Sequence, residues 1–589
     1  MLTKFPIRAG IIKDDPPLSS EEYWGDGKNV RFYRGRPEII KGWQPYIAST
    51  MNGACRKLAN WSDTDGNIYL AAGTNTKLYV VSGETLYNIT PYDEQTNGAS
   101  VTLATTSGLP TVTITDTSHG RVVGDTVNFS NQSAAVGGIT LSGDYIVTEV
   151  VDSSNYKITA GSNASGTATT AVTIDLKYEL NVGEAYGTIA DGYGAGSYGI
   201  GTYGTPRTSA FSIFPRTWSL QGFGDYLLAS PYGKTLYYWD GNTSNRAVAA
   251  TNAPARIDFM FTTPERFVVA CGTNQYSGGT YAPMLVRWAS QETYNTWAPS
   301  STNSAGEYPL GVGNRIVGAI ASKLHNLIWT DVSVYSMRYL GDSTLIFGFD
   351  LVGTNCGLVG PNAMAHHDGL AFWMSTSGQF FVYDGGAPRN IPCPVQKYVF
   401  EDINWAQIRT VHCGLDTEYN EVVWFYPSAG SNDIDRCAAY NFDEDVWWIG
   451  SIPRTAWLER SLFDFPIAAG SDGDIYRMNV GLAAHESPIE AYIETAPFDV
   501  GDGDMVINIS KIIPDVVVEG GDVTVTLYTK RWSNDVDEQT KTLTLSPTTT
   551  RLDTRAQGRV ARLRFSTNST TTYWRLGDIR MDVQPIGKR

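Results

Sequence analysis

Leu370-Ala371-Phe372-Trp373, followed after a short gap by Phe380-Phe381-Val382-Tyr383-Asp384-Gly385, is the stretch that decides the fold. Two short apolar and aromatic runs are joined by a tight loop, and the second ends on Asp-Gly, which reads as a hairpin. The same frame recurs. Tyr226-Leu227-Leu228-Ala229 leads to Leu236-Tyr237-Tyr238-Trp239-Asp240-Gly241, and both stretches place Asp-Gly about 14 positions after the first strand begins (240 − 226 and 384 − 370). Ile68-Tyr69-Leu70-Ala71 precedes Leu78-Tyr79-Val80-Val81, and Leu327-Ile328-Trp329-Thr330 precedes Met337-Arg338-Tyr339-Leu340-Gly341. Further strand starts lie at Phe267, Val422 and Ile467. From Tyr226 onward the unit is roughly 40 to 60 residues, the period of propeller blades. An all-β chain is therefore expected, with a β-propeller of six or seven blades. Paired antiparallel sandwiches built from the same hairpins are the alternative.

Composition agrees with β-structure rich in turns. Charged residues make up 18% of the 589, below the roughly 25% of an ordinary domain, while Gly (59), Tyr (33) and Trp (16) are abundant. The net charge of −16 has the wrong sign for a protein that grips nucleic acid by neutralising phosphates. No apolar run reaches the roughly 18 to 20 residues of a membrane span, so a soluble, unsecreted chain is expected. Six cysteines (Cys55, Cys271, Cys356, Cys393, Cys413, Cys437) form no C-x-x-C pair and read as buried free thiols.

Two regions depart from the repeat. Between about Gly98 and Tyr178 the composition shifts to Thr, Val, Ser and Gly, with alternating runs at Thr111 to Thr115, Asp125 to Phe129, Tyr145 to Thr148 and Tyr156 to Thr159. Beyond about His485, Val523 to Tyr528, Lys541 to Leu545 and Arg559 to Phe565 alternate as in a sandwich. The expected division is residues 1–97 as N-terminal segment and first blade, 98–180 as an inserted β-domain, 181–484 as the remaining propeller, and 485–589 as a C-terminal β-sandwich.

The opening Trp24-Gly25-Asp26-Gly27-Lys28-Asn29-Val30-Arg31-Phe32-Tyr33-Arg34-Gly35-Arg36-Pro37-Glu38, ending at Gly42-Trp43, is similar to the amino terminus of tail nozzle proteins of short-tailed bacteriophages, also called tail-hub or DNA-stabilisation proteins. The Tyr-Gly stretch from Gly192 to Arg207 and the terminal Trp574-Arg575-Leu576-Gly577-Asp578 through Pro585 resemble the same family. Thr113, His119-Gly120 and Val123-Gly124-Asp125-Thr126-Val127 within the insert resemble modules that recur in phage tail proteins. The resemblance implies a structural virion protein, not an enzyme. It implies a homohexameric ring in the tail, assembled in the host cytoplasm, beneath the portal and adaptor and in contact with fibre or needle proteins and the host cell surface. Viral DNA would pass through the ring without tight binding during genome ejection. The competing reading is a propeller that binds or degrades host surface glycan, with carboxylate pairs such as Asp443/Asp445 or Asp472/Asp474 available.

The basic and aromatic cluster of Trp24, Lys28, Arg31, Phe32, Arg34, Arg36, Lys41 and Trp43 reads as a surface docking the adaptor or a neighbouring subunit, since Arg and aromatics dominate interface hot spots, with an ordinary amphipathic strand pair as the alternative. Arg551, Arg555, Arg559, Arg562 and Arg564 read similarly. Tyr193, Tyr198 and Tyr203 are candidates for a gating loop. Gly194 to Gly199 satisfies G-x-G-x-x-G but neither follows a buried strand nor opens a helix, so no nucleotide site is expected. His366-His367-Asp368 and His412-Cys413 place neighbouring residues on opposite faces of a strand. Asp63-Thr64-Asp65-Gly66-Asn67 has Thr74 where a calcium loop needs Glu, and reads as a hairpin turn. Neither a cofactor nor a metal is expected.

Overall fold

The computed structural model describes residues 2–192, 207–322, 325–342, 345–499 and 503–587. Among them the chain is almost wholly β, and its body is a propeller. Six four-stranded antiparallel sheets follow one another: blade 1 at 55–88, blade 2 at 218–249, blade 3 at 257–309, blade 4 at 316–354, blade 5 at 364–390 and blade 6 at 412–450. Blade 7 takes Arg454–Leu458, Ile467–Gly470 and Ile475–Met478 and borrows Trp43–Pro45 as its outer strand, with Met478 opposite Trp43. The innermost strand of blade 7 lies beside that of blade 1, so the ring is closed. The seven strand starts read from the sequence are the second strands of these blades, where both faces pack on neighbours and the apolar pattern is densest.

Local chemistry sets the hairpins. His367 pairs with Leu370 across Asp368-Gly369, whose φ angles of 46° and 85° give the two left-handed positions of a type I′ turn. Tyr33 and Arg36 are joined the same way through Arg34 and Gly35 (52° and 69°). Between blades, tryptophan fits against glycine. A Cβ on Gly73 would stand 2.4 Å from Trp218, and one on Gly222 equally close to Trp61. Trp447 of blade 6 reaches Phe380 of blade 5, ring centroids 4.8 Å apart.

The terminal sandwich is built from both ends of the chain. One sheet orders Val30–Tyr33, Arg36–Ile39, Tyr573–Gly587, Val506–Glu519 and Leu552–Gly558, with Leu2–Phe5 also on Tyr573–Gly587. The other contains Ser487–Thr495, Val560–Ser569, Val523–Lys530 and Gln539–Leu545, and Trp24–Lys28 pairs with Ser487–Thr495. The first 39 residues thus join the C-terminal strands, and the propeller takes its closing strand from the segment just after them. One continuous apolar core runs from Ile507, Trp574 and Val583 of the sandwich through Val30 and Phe32 to Trp373, Trp424 and Trp448 of the blades.

The insert is a closed six-stranded barrel spanning Tyr92–Thr105 to Ala168–Glu179, with its own core of Val101, Val112, Ile114, Phe129, Tyr156 and Ile174. It leaves the propeller between blades 1 and 2. The chain then passes Gly183 to Gly187 to a hairpin of Thr188–Gly192 and Arg207–Ile213.

Candidate functional site

Half of the basic and aromatic N-terminal cluster is folded inward. Trp24 (2% exposed), Phe32 (0%), Arg31 (5%) and Trp43 (8%) are buried, and they do not form the docking surface expected of them. The reason is strand pairing. Once 24–39 enter the sandwich, alternate side chains must face its core or the blades beneath. Arg31 lies 3.8 Å from Asp416 and 3.5 Å from Glu421 of blade 6, with its guanidinium 3.5 Å above the Tyr419 ring. Asn479 donates to Asp416 at 2.8 Å, and the Trp448 indole donates to the other Glu421 oxygen at 2.8 Å. Burial pushes the Glu421 carboxyl up to about 7 against the opposing pull of Arg31. Arg31 Nε and Nη1 have no hydrogen-bond partner among the described residues, and a cavity of about 20 Å³ beside them has room for one water molecule.

Lys28, Arg34 and Arg36 stay nearer the surface. Lys28 pairs with Glu490 at 2.6 Å and Arg36 with Asp578 at 2.9 Å. Hydrogen bonds from Lys4 and Arg36 hold the Asp578 carboxyl down at about 2. Arg34 is exposed at the tip of its turn, where the Gly35 N–H donates to Glu444 at 2.7 Å. In the second arginine group Arg559 is buried and Arg562 and Arg564 are half-buried. Arg562 pairs with Glu538 at 2.7 Å, Arg564 pairs with Glu494 at 2.6 Å, and Arg559 donates to the backbone carbonyls of Gly503 and Asp504, while Arg551 and Arg555 are exposed. Tyr193, Tyr198 and Tyr203 lie outside the described residues.

The propeller axis holds a cavity of about 100 Å³ bounded by the inner strands of all seven blades. Lys57, Gln221, Ile320, Met364, Cys413 and Trp457 line it, and a bulge between Cys55 and Lys57 adds Arg56 at its wall. One end is crossed by the 183–187 segment: Arg56 donates to the Ala185 carbonyl at 2.8 Å, Gln407 bonds both ways with the backbone of Gly187, and Tyr186 donates to Asp433 at 3.1 Å. His412, stacked on Phe425, is driven down to about 3 by burial and then by Arg56 and Lys57.

The remaining sequence candidates resolve into turns and packing. Asp63 accepts from the backbone and side-chain amide of Asn67 at 2.8 Å each, closing a hairpin. Asp445 accepts from Tyr440, Asp472 from Tyr476 and Asp474 from Thr50. His366 and His367 face opposite ways beside their turn, and His367 reaches Asp368 only at 3.8 Å. Among the described residues no three His, Cys, Asp or Glu side chains are grouped to hold a metal. All six cysteines are free, and burial pushes the Cys55 and Cys437 thiols up to about 12.

One site had no signal in the sequence beyond its aromatic residues. Between barrel and propeller lies an open cleft of about 560 Å³. Tyr226 and Tyr238 of blade 2 and Tyr294 from the blade 3 loop meet there with ring centroids 5.0 to 6.0 Å apart. Tyr226 and Tyr238 were legible only as strand residues, and Tyr294 reaches them across some 55 residues of chain (294 − 238 = 56).

No known family's sequence profile matches the chain, and no curated protein matches it either. Among solved structures it is similar to the computationally designed Ika8 protein, with 11% identity, 74% of this chain and 99% of that one covered, and a TM-score of 0.33. It is also similar to BamB from Moraxella catarrhalis, with 10% identity, 46% and 85% covered, and a TM-score of 0.26. The propeller assignment rests on the strand pairing itself.

Proposed function

We propose that the chain is a non-catalytic structural subunit of a short-tailed phage virion, a tail nozzle protomer that extends and closes the DNA channel beneath portal and adaptor and takes part in genome ejection. One observation carries this reading. The two nozzle-like stretches at opposite ends of the sequence are neighbours in one sheet. Glu38 pairs with Arg575, the Arg575 guanidinium donates to the Tyr33 carbonyl at 2.8 Å, and Arg36 meets Asp578. A pattern shared at both termini then corresponds to one structural unit that locks the chain ends together. Such a body suits a part that must withstand packaged-genome pressure.

In this reading DNA travels along the axis of the oligomer and not of each propeller, whose own cavity is far too small and is crossed by the 183–187 segment. The acidic chain disfavours tight phosphate contacts that would slow passage. Lys28, Arg34 and Arg36 are among the parts of the N-terminal cluster left for neighbour or adaptor contacts. Electron microscopy of the chain with the portal–adaptor assembly tests this: an axial ring, of six copies by the resemblance, is expected beneath the adaptor. The purified ring should bind duplex DNA negligibly at physiological salt. Peripheral single copies, or release of oligosaccharide from host polysaccharide, would overturn the reading.

A further inference from the structure

The cleft between the inserted barrel and the propeller is a built site, not a gap between rigid bodies. Its volume of about 560 Å³ falls in the range of small-molecule sites, which favour domain boundaries. Its floor is aromatic. Tyr226 is 36% exposed, and its ring stands at 80° to Tyr238 and 56° to Tyr294, so ring faces are turned in more than one direction. The polar groups around it are fixed before any ligand arrives. Asp240 accepts from the Asn245 side-chain amide at 2.7 Å and from the Asn242 N–H at 3.1 Å. Arg246 is held by Glu179 at 3.1 Å and Asp144 at 3.5 Å, so its charge is already answered within the protein. Lys177 of the barrel is different: its ammonium lies 5.6 Å from the Tyr92 ring centroid and feels the Asp175 carboxylate only at longer range, with no carboxylate in ion-pair range among the described residues.

We propose that this cleft binds an acidic oligosaccharide, with sugar rings laid on Tyr226, Tyr238 and Tyr294 and an anionic substituent on Lys177. The chemistry selects this class. The electron-rich ring face attracts the polarised C–H face of a pyranose, and Asp240 with Asn245 offers adjacent acceptors and donors to neighbouring hydroxyls. A protein anchor would need an apolar pocket, whereas this lining is predominantly polar and open. A nucleic-acid strand carries a phosphate on every nucleotide and would need a continuous cationic track, which one lysine in this lining does not supply. The inference is independent of ring formation, because a monomer presents the same cleft.

Binding of the full chain to immobilised bacterial polysaccharide fragments tests it, using uronic-acid-containing, phosphorylated and uncharged fragments with oligothymidylate alongside. Retention of acidic fragments is expected, and the uronate and phosphate arms identify the anionic group. Lys177→Gln should weaken retention about tenfold, with Lys177→Arg restoring it, as the loss of one charge-assisted contact predicts. Tyr226→Ala should weaken retention of every fragment without shifting the thermal transition, and Tyr294→Ala should weaken it as well with some loss of stability, since Tyr294 also packs on Phe223. No retained fragment, equal retention by these variants, equal retention of uncharged fragments, or preference for oligothymidylate would each overturn the proposal.

Discussion

Two domains are attached to the same propeller in opposite ways. The sandwich shares strands and core with it: Trp43–Pro45 closes blade 7, Ala484 bridges to Trp43, and one apolar cluster crosses the junction. The barrel keeps a separate core and meets the propeller through polar groups gathered on Glu179, which takes Lys77, Arg246 and Asn88. Apolar continuity makes two domains one cooperative unit. A polar seam leaves them separable and leaves room for a cleft.

The sharpest way to break this contrast is truncation. Ending the chain at residue 484 removes the strands that cover 24–39 and exposes Val30, Phe32 and the blade residues beneath. No cooperative unfolding transition and rapid aggregation are expected, as followed by calorimetry and light scattering. A soluble truncated propeller with a normal melt would show that the shared core is dispensable.

Next is Arg31. Replacing it by Met leaves Glu421 and Asp416 buried without their cation, a loss of about 3–5 kcal/mol in chemical denaturation. Adding Glu421→Gln should recover part of this. Arg34→Ala and Arg36→Ala should each cost about 1 kcal/mol or less, because the Arg34 side chain is exposed with no ion pair among the described residues and the Arg36–Asp578 pair is open to solvent. Equal effects at all three would contradict the buried cluster.

The pH dependence is smaller and separates two groups. Glu421 is raised from 4.5 to about 7, so the folded state holds a proton the unfolded state has released; stability falls as pH rises through that window, by roughly 3 kcal/mol at most. His412 is lowered from 6.5 to about 3, so the unfolded state binds the extra proton and stability falls as pH drops across that range. Relative to the parent chain, Glu421→Gln should therefore lose part of the fall in stability between about 4.5 and 7. His412→Asn should lose part of the rise between about 3 and 6.5. Unchanged profiles in both variants would remove these groups as the cause.

The smallest effect is expected from deleting the barrel. Tyr92 and Glu179 are paired across its first and last strands, so a short Gly-Ser linker spans the gap of roughly 5 Å between them. Lys77 and Arg246 lose Glu179 but gain solvent, so the propeller transition should move by about 1 kcal/mol or less, while polysaccharide retention disappears. A large loss of stability would make the barrel part of the propeller core.

Much of the fold was legible because its signals are local. The second and third strands of each blade carry dense apolar runs bounded by turns, as at Leu370 to Tyr383, and the barrel and sandwich strands alternate with period two. The inner and outer blade strands were less legible, since Val248–Ala249 and Arg389–Asn390 are two residues long and exposed. At the functional level, the turn reading at Asp63 needed only nearest-neighbour chemistry. The N-terminal cluster needed more. Its residue types suit an interface, and whether that interface lies between chains or within one is not written in a segment of 20 residues.

The sequence by itself determined the β class, the blade period, the hairpin turns and the places where composition changes, because each depends on residues within a few positions of one another. Only the tertiary structure decided that Trp43 closes blade 7, that Arg31 is buried against Asp416 and Glu421, and that Tyr294 joins Tyr226 and Tyr238 beside Lys177. Those pairings span from about 55 to more than 400 residues (478 − 43 = 435), and alternation in a strand specifies which face a side chain takes, not which distant strand it will meet.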